Sequence, residues 1–376
     1  MKKITVFFLC LYLFSISSLN AFAEDKPTIS AASAIVMTAD TGTVIYENNA
    51  YQKRAMASIT KIMSALITIE SGDLDTPFTV NSEAIKIEGS SMGLLEGDIV
   101  TKRVLCYGML LPSGNDAANA AAVAVGGSID EFVELMNERA KQIGMQNTHF
   151  VTPSGLDADG HYTTSYDMAI LARTALKNSI FAKMCATSSI EVQYGNPPYR
   201  RWLSNSNKML HLYDGAIGVK TGFTDNAGRT LVSAAKRDGV TLICVTLSAP
   251  NDWDDHTALL NYGFSKVKSQ TIDYDFGSLN IDVVGSTEKS VGAVPYTKPS
   301  VSVIDGKIPE LTGKIYIEQF LYAPVCAGDV VGKVEFYNGE NKVTEVTLVA
   351  SADVACNTEV KQSTFDKIKK FFKKLF

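Results

Sequence analysis

Apolar residues recur at helical spacing through the first two thirds of the chain and give way to strand-like alternation in the last third. In "RAMASITKIMSALITIE" the positions Met56, Ile59, Ile62, Met63, Ala65, Leu66, Ile67 and Ile69 are apolar on nearly every side, which predicts a buried helix. "VLCYGMLL" and "DAANAAAVAVGG" predict two more helices, split by Pro112-Ser113-Gly114-Asn115. "IDEFVELMNERAKQIG" places Ile129, Phe132, Val133, Met136 and Ala140 on one face of an amphipathic helix. "YTTSYDMAILARTALKN" predicts another, capped near Thr164, and "NDWDDHTALLNYGFSKV" a last one.

Between these runs lie strands. "SAIVMTADTGTVIYENN" reads as a hairpin around Asp40-Thr41-Gly42, and "FTVNSEAIKIEGSSMGLLEGDIVTK" as short strands and turns. "GAIGVKTGFT" leads into "RTLVSAAKRDGVTLICVTLSA", two strands joined through Asp238-Gly239, a strong hairpin signal. From residue 269 the text is strands and turns with Gly and Pro punctuation, the pattern of a separate all-β domain.

The two ends differ from the body. Lys2 and Lys3 precede the apolar run "ITVFFLCLYLFSISSL", which closes on "AFA": the layout of a signal peptide removed at Ala23 rather than of a retained anchor. At the other end, Phe365, Ile368, Phe371, Phe372, Leu375 and Phe376 share one helical arc, with Lys367, Lys369, Lys370, Lys373 and Lys374 on the rest. A tail docked on the protein's own core, or an unstructured one, is the alternative; the ring of lysines favours an interfacial membrane helix over residues 363–376. The chain thus divides into signal peptide (1–23), first domain (24–268), all-β domain (269–360) and amphipathic helix (361–376). An exported protein held on the outer face of the cytoplasmic membrane follows from the two ends together.

Charge and cysteine usage exclude some partners. The formal net charge of −5 conceals an acidic body and a basic tail, which argues against nucleic acid. Beyond Cys10 there remain Cys106, Cys185, Cys244, Cys326 and Cys356, an odd set at irregular spacing that is no disulfide framework. Cys326 and Cys356 are near enough in sequence to pair, but free buried thiols are the simpler expectation. With no C-x-x-C and with His149, His161, His211 and His256 scattered, neither a metal nor a cofactor site is expected.

The chemistry enters with Ser58 and Lys61, one turn apart on the apolar helix. The bland reading is a polar stripe, Ser58–Lys61–Ser64–Thr68, facing water. Two later signatures weigh against it: Ser113-Gly114-Asn115 (S-x-N) and Lys220-Thr221-Gly222 (K-T-G). In this order with S-x-x-K they form the signature set of penicillin-binding proteins and class A β-lactamases. A serine hydroxyl needs a base to become a nucleophile, and a lysine serves if burial and a second cation, here Lys220, depress its pKa. Ser58 at the helix start also sets its own N–H among unpaired donors suited to an oxyanion. Ser113 and Asn115 on an interhelical loop suit proton relay and peptide gripping. Gly222 lets a substrate approach a strand backbone, and Lys220 with Thr221 and Thr224 suits a terminal carboxylate.

The chain resembles the low-molecular-mass penicillin-binding proteins, D-alanyl-D-alanine carboxypeptidases of the type-5 group. The resemblance rests on these motifs and on "TGTVIYENNAYQKRAMASITKIM", "GSSMGLLEGDIVTKRVLCYGMLLPSGNDAANAAA", "NTHFVTPSGLDADGHYTTSYDMA" and "GVKTGFTDNAGRTLVSAA". It implies an α/β (α+β) penicillin-binding, β-lactamase-like serine-transpeptidase fold, an antiparallel sheet covered by helices, followed by the all-β domain and the amphipathic helix. It implies that Ser58 is acylated, Lys61 is the general base, Ser113 and Asn115 relay protons and position substrate, and Lys220 binds the substrate carboxylate. The oxyanion hole would be the backbone N–H groups of Ser58 and Phe223. Some relatives carry histidine where this chain has Phe223 and Ser154, so any side-chain role there is not carried over. The expected substrate is a peptidoglycan stem peptide ending in D-Ala-D-Ala, with β-lactams as acylating inhibitors.

Two rivals differ in testable ways. A class A β-lactamase would carry E-x-x-x-N between the second and third signatures, and Glu131, Glu134, Glu138 and Glu191 all lack the asparagine. A non-catalytic wall-binding scaffold would fail to be acylated by penicillin. Gly89-Ser90-Ser91-Met92-Gly93 matches the G-x-S-x-G nucleophile elbow, but lacks the strand before and helix after that this motif requires. It is read as a loop beside the active site.

Overall fold

The structure, a computed structural model, describes residues 26–304 and 306–357. The signal peptide and the amphipathic tail expected above lie outside the described residues. In chain order the first strands are β1 (Ser33–Thr38), β2 (Val44–Asn48), the short pair β3 (Phe78–Thr79) and β4 (Ile99–Val100), and the hairpin β5 (Ser189–Gly195) and β6 (Pro198–Ser204). Then come β7 (Ala216–Thr224), β8 (Gly228–Arg237) and β9 (Val240–Leu247). An antiparallel five-stranded sheet runs in the order β2-β1-β9-β8-β7, so β7 is an edge.

Period-two alternation builds a core on each face of this sheet. Ile35, Met37, Val232, Ala234, Ile243 and Val245 face one side. That side is covered by α1 (Lys61–Glu70), α2 (Lys102–Leu110), α3 (Asn115–Gly126), α4 (Ile129–Ile143), α5 (Ser165–Lys177) and α6 (Ser179–Cys185). Ala34, Val36, Leu231, Ala235, Leu242 and Cys244 face the other side, under the one-turn helix α7 (Met209–Leu212) and α8 (Asp252–Lys266).

Several elements form for the reasons the sequence offers. The Thr164 hydroxyl accepts the Asp167 N–H at 3.0 Å and caps α5. Asp238 (φ 47°) and Gly239 (φ 80°) both take positive φ in the two-residue β8–β9 turn, a conformation that Asp-Gly favours. The β5–β6 hairpin and α6 fall outside the expectations above although both carry a signal. Ile190, Val192 and Tyr194 alternate with exposed Ser189, Glu191 and Gln193 along β5, and the Asn178 side chain accepts the Ile180 and Phe181 N–H groups to cap α6.

Beyond α8 the chain becomes all-β, with β10 (Val267–Thr271), β11 (Asn280–Val284), β12 (Ser290–Pro295), β13 (Ser300–Ile304), β14 (Thr312–Ile317), β15 (Phe320–Tyr322), β16 (Val330–Asn338) and β17 (Asn341–Ala350). The main sheet there is ordered β14-β16-β17-β12-β11-β15, and β10 pairs with β13. It encloses its own core around Val334, Phe336, Val346 and Leu348. Cys326 and Cys356 are free thiols but exposed, which corrects the expectation that they would be buried.

Candidate active site

Ser58 sits in a single 3-10 turn, Ala57–Thr60, that feeds directly into α1. The polar stripe below it does not face water: Lys61, Ser64 and Thr68 are fully buried. Ser64 donates to the Pro153 carbonyl at 2.6 Å and Thr68 to the Ser64 carbonyl at 2.7 Å, so each buried hydroxyl is satisfied.

Lys61 is the centre of the arrangement. Its Nζ lies 2.9 Å from Ser58 Oγ and donates to Asn115 Oδ1 at 2.7 Å and to the Ser154 backbone carbonyl at 2.5 Å. Burial holds its pKa well below the ordinary lysine value; the Lys220 ammonium adds to this and the Asp116 carboxylate opposes it. A neutral amine has two N–H groups and one lone pair. Asn115 and Ser154 take the N–H groups, which leaves the lone pair for the Ser58 hydroxyl proton.

The S-x-N segment closes one wall. Ser113, at φ 67°, lines the cavity, and its hydroxyl has no hydrogen-bond partner among the described residues. Asn115 begins α3; its amide nitrogen donates to the Glu88 carbonyl at 2.7 Å while its oxygen holds Lys61. The sequence assigned it to the substrate, and the geometry engages it with the base. Next to it the buried Asp116 carboxylate accepts from Ser91 Oγ and from the N–H groups of Met92, Gly93 and Leu94. That clamp folds the Gly89–Gly93 stretch into a loop without flanking strand or helix, so the G-x-S-x-G match is no nucleophile elbow, and Ser90 lines the cavity instead.

The opposite wall is β7. Lys220 is buried, donates to the Thr221 carbonyl at 2.8 Å, and has its pKa pushed down to about 7 by that burial. Thr221 Oγ1 lies 2.8 Å from Ser206 Oγ, and both line the cavity. Gly222 makes room for the protein's own backbone: a Cβ there would stand 2.9 Å from the Ser58 nitrogen and 2.4 Å from Thr230 Oγ1. Phe223 is exposed on the cavity rim. Thr224 is not among the lining residues; its hydroxyl donates to Asp157 Oδ1 at 3.1 Å and accepts the Ala227 N–H at 3.1 Å within the β7–β8 turn.

Between these walls is a cavity of about 370 Å³ with Ser58 in its lining. Sequence reasoning missed Arg229, whose half-exposed guanidinium lines it opposite Phe223. The buried Asp252 carboxylate accepts from Arg229 Nε at 2.9 Å, and the Trp253 ring stands 5.4 Å from the guanidinium. The strand register was the available signal, since Arg229, the second residue of β8, lies directly across from Phe223. The Ser154 carbonyl had no signal at all, because a main-chain acceptor has no residue signature. None of Glu131, Glu134, Glu138 or Glu191 lines the cavity. Among the described residues no cluster of His, Cys, Asp and Glu could hold a metal ion.

Comparison with known proteins agrees along most of the chain. Residues 20–251 match the family profile described as D-alanyl-D-alanine carboxypeptidase, and residues 267–355 match the penicillin-binding protein 5 C-terminal domain. The D-alanyl-D-alanine carboxypeptidase DacF of Bacillus subtilis is 30% identical over 335 residues, covering 86% of each chain. The D-alanyl-D-alanine carboxypeptidase DacD of Escherichia coli is 28% identical over 99% of both chains. Among solved structures, the D-alanyl-D-alanine carboxypeptidase DacD from Francisella tularensis superimposes with a TM-score of 0.62 at 28% identity, covering 92% of this chain and 98% of that one. The Streptomyces K15 DD-transpeptidase does so at 0.62 and 35% identity, covering 64% of this chain and 99% of that one.

Proposed function

From the premise that this chain belongs to the D-alanyl-D-alanine carboxypeptidase family and is a serine-type, penicillin-binding hydrolase acting on peptidoglycan stem peptides, we propose that Ser58 is the residue acylated, with Lys61 as its base. The observation that carries this reading is the placement of Lys61: buried, depressed in pKa, 2.9 Å from Ser58 Oγ, with its N–H groups already taken.

The substrate's C-terminal D-Ala-D-Ala lies along the free edge of β7, whose outward N–H and C=O groups are open to an added strand. Its carboxylate meets the Thr221 hydroxyl near Lys220 and the Arg229 guanidinium, which Asp252 steadies. Ser58 Oγ attacks the penultimate D-alanine carbonyl while Lys61 Nζ takes the hydroxyl proton. The oxyanion is held by the backbone N–H groups of Ser58 and Phe223. The C–N bond then breaks, the departing amine receives a proton relayed through Ser113 Oγ, and D-alanine leaves. Water, deprotonated by the same lysine, attacks the ester and releases the shortened peptide. Asn115 contributes by fixing Lys61, and Thr224 by shaping the turn that ends β7.

Mass spectrometry of products from a defined pentapeptide tests the reading. Wild-type protein releases one D-alanine and leaves the tetrapeptide, whereas Ser58→Ala leaves the pentapeptide intact. D-alanine release by the folded variant contradicts it.

We further propose export by residues 1–23 and peripheral attachment through residues 363–376. Among the described residues no helix is long and apolar enough to cross a membrane. Six apolar side chains along one arc, and lysines worth about 1 kcal/mol each near an anionic leaflet, support reversible binding. Deleting residues 363–376 should abolish flotation with anionic vesicles and leave penicillin acylation intact; a truncated protein that floats like the full chain contradicts the anchor.

A further inference from the structure

The scheme above leaves one buried titratable side chain beside the Ser58 turn without a task. His161 is only 7% exposed, and its neighbours fix its tautomer. The Val151 backbone N–H donates to Nδ1 at 2.9 Å, so that nitrogen carries a lone pair. Thr60 Oγ1 spends its own hydrogen on the Ala57 carbonyl oxygen at 2.7 Å. The 2.9 Å contact between Thr60 Oγ1 and His161 Nε2 is therefore an N–H donated by the ring. One imidazole thus ties together two segments: the turn that carries Ser58 and the 151–161 loop whose Ser154 carbonyl accepts from Lys61.

The turn it holds does not hold itself. Ala57, directly before Ser58, has φ 51°, a conformation uncommon outside glycine that persists only where the surroundings impose it. Its carbonyl oxygen is seated between the Thr60 hydroxyl and Gly155, where a Cβ would come within 2.1 Å of it. The Ala57 carbonyl and the Ser58 N–H belong to one planar trans peptide unit, so their bonds point in opposite directions. Fixing the oxygen fixes where the Ser58 N–H aims. Burial lowers the His161 pKa to about 4, with Asp157 opposing and His149 reinforcing, so near neutral pH the ring keeps the neutral form that this bonding needs.

We propose that His161 is a positioning residue for acylation. Through Thr60 and the Ala57 carbonyl it aims the Ser58 N–H at the substrate oxyanion, and through Val151 it holds the loop that orients Lys61. The proposal rests on the reading of Ser58 as the nucleophile, and its test separates the two.

The test compares His161→Leu, Thr60→Val and His161→Gln for acylation by a chromogenic β-lactam, with thermal unfolding measured alongside. Misaiming an oxyanion donor should slow acylation by at least about tenfold in His161→Leu and Thr60→Val. The loss should fall in the acylation rate constant and not in the affinity of the initial complex. Glutamine offers an amide N–H and a carbonyl at nearly the spacing of the two ring nitrogens, so His161→Gln should recover most of the rate. Because leucine and valine break one relay, the double variant should be no slower than the slower single one. A folded Thr60→Val or His161→Leu protein acylated at the wild-type rate overturns the proposal, as does His161→Gln as slow as His161→Leu. Should His161→Leu fail to fold, Thr60→Val and His161→Gln decide. The adduct in every slowed variant should still map to Ser58; labelling of a Ser58→Ala control would instead overturn the parent reading.

Discussion

Gly222→Ala gives the sharpest steric test of how β7 and the Ser58 turn fit together. The added methyl would stand 2.9 Å from the Ser58 nitrogen, 3.0 Å from the Ile59 nitrogen and 2.4 Å from Thr230 Oγ1. The backbone contacts are roughly half an ångström inside ordinary van der Waals separation. Thr230 cannot swing away freely, because its hydroxyl donates to the Met56 carbonyl at 3.0 Å in the same buried layer. Strand and turn must therefore part, and overpacking of this kind costs about 1–3 kcal/mol. In a domain of this size that lowers Tm by roughly 2–12 °C. The effect on function should be larger. Displacing the Ser58 N–H from the position it shares with the β7 backbone removes an oxyanion donor, worth about 10²–10³ in rate. Stopped-flow acylation with a chromogenic β-lactam, beside a thermal melt, reads both. A folded Gly222→Ala protein acylated at the wild-type rate would refute the account of this contact.

Three further outcomes follow from individual side chains. Lys61→Ala should retain the fold and slow acylation by at least about 10²-fold, the contribution of a positioned general base; a near-normal rate would mean another base. Lys220 titrates at about 7 in the folded chain against an ordinary value of 10.5, so between these values the unfolded chain holds a proton that the folded chain lacks. Stability must then rise with pH across that window, by up to about 1.4 kcal/mol per unit for this one group. Lys220→Met should flatten the slope of Tm against pH above neutrality, leaving the part that Lys61 contributes in the same direction; unchanged slopes would contradict the depressed Lys220. Asp116→Ala strips acceptors from the Met92, Gly93 and Leu94 N–H groups and should cost at least about 3 kcal/mol, read by denaturant unfolding; a loss under about 1 kcal/mol would show that the loop does not depend on the clamp.

Much of the fold and site was legible because burial and backbone chemistry leave marks on sequence. The all-round apolar run around Lys61 announced a buried helix, and a lysine inside one has to be either neutral or paired. Asp238-Gly239 announced the β8–β9 turn. What could not be read arises from contacts between segments far apart in the chain. The Ser154 carbonyl is an unmarked main-chain atom 93 positions from Lys61, whereas Arg229 was within reach of the sequence through its register with Phe223. For Thr224, adjacency to K-T-G places it in the strand but does not say that the following turn engages its hydroxyl. Gly222 was read as space for substrate, whereas the nearest thing to its missing Cβ, apart from Thr230, is the nucleophile's own backbone. The β5–β6 hairpin did leave a mark, with Ile190, Val192 and Tyr194 alternating with exposed Ser189, Glu191 and Gln193, but over one short strand only.

The central claim is that Ser58 is the acylated nucleophile, and mapping the penicillin adduct tests it most directly. Brief incubation with benzylpenicillin, proteolysis and tandem mass spectrometry should find a single acyl group on Ser58, absent from Ser58→Ala. An adduct on Ser91, Ser113 or another residue, or persistent labelling of the alanine variant, would contradict the account.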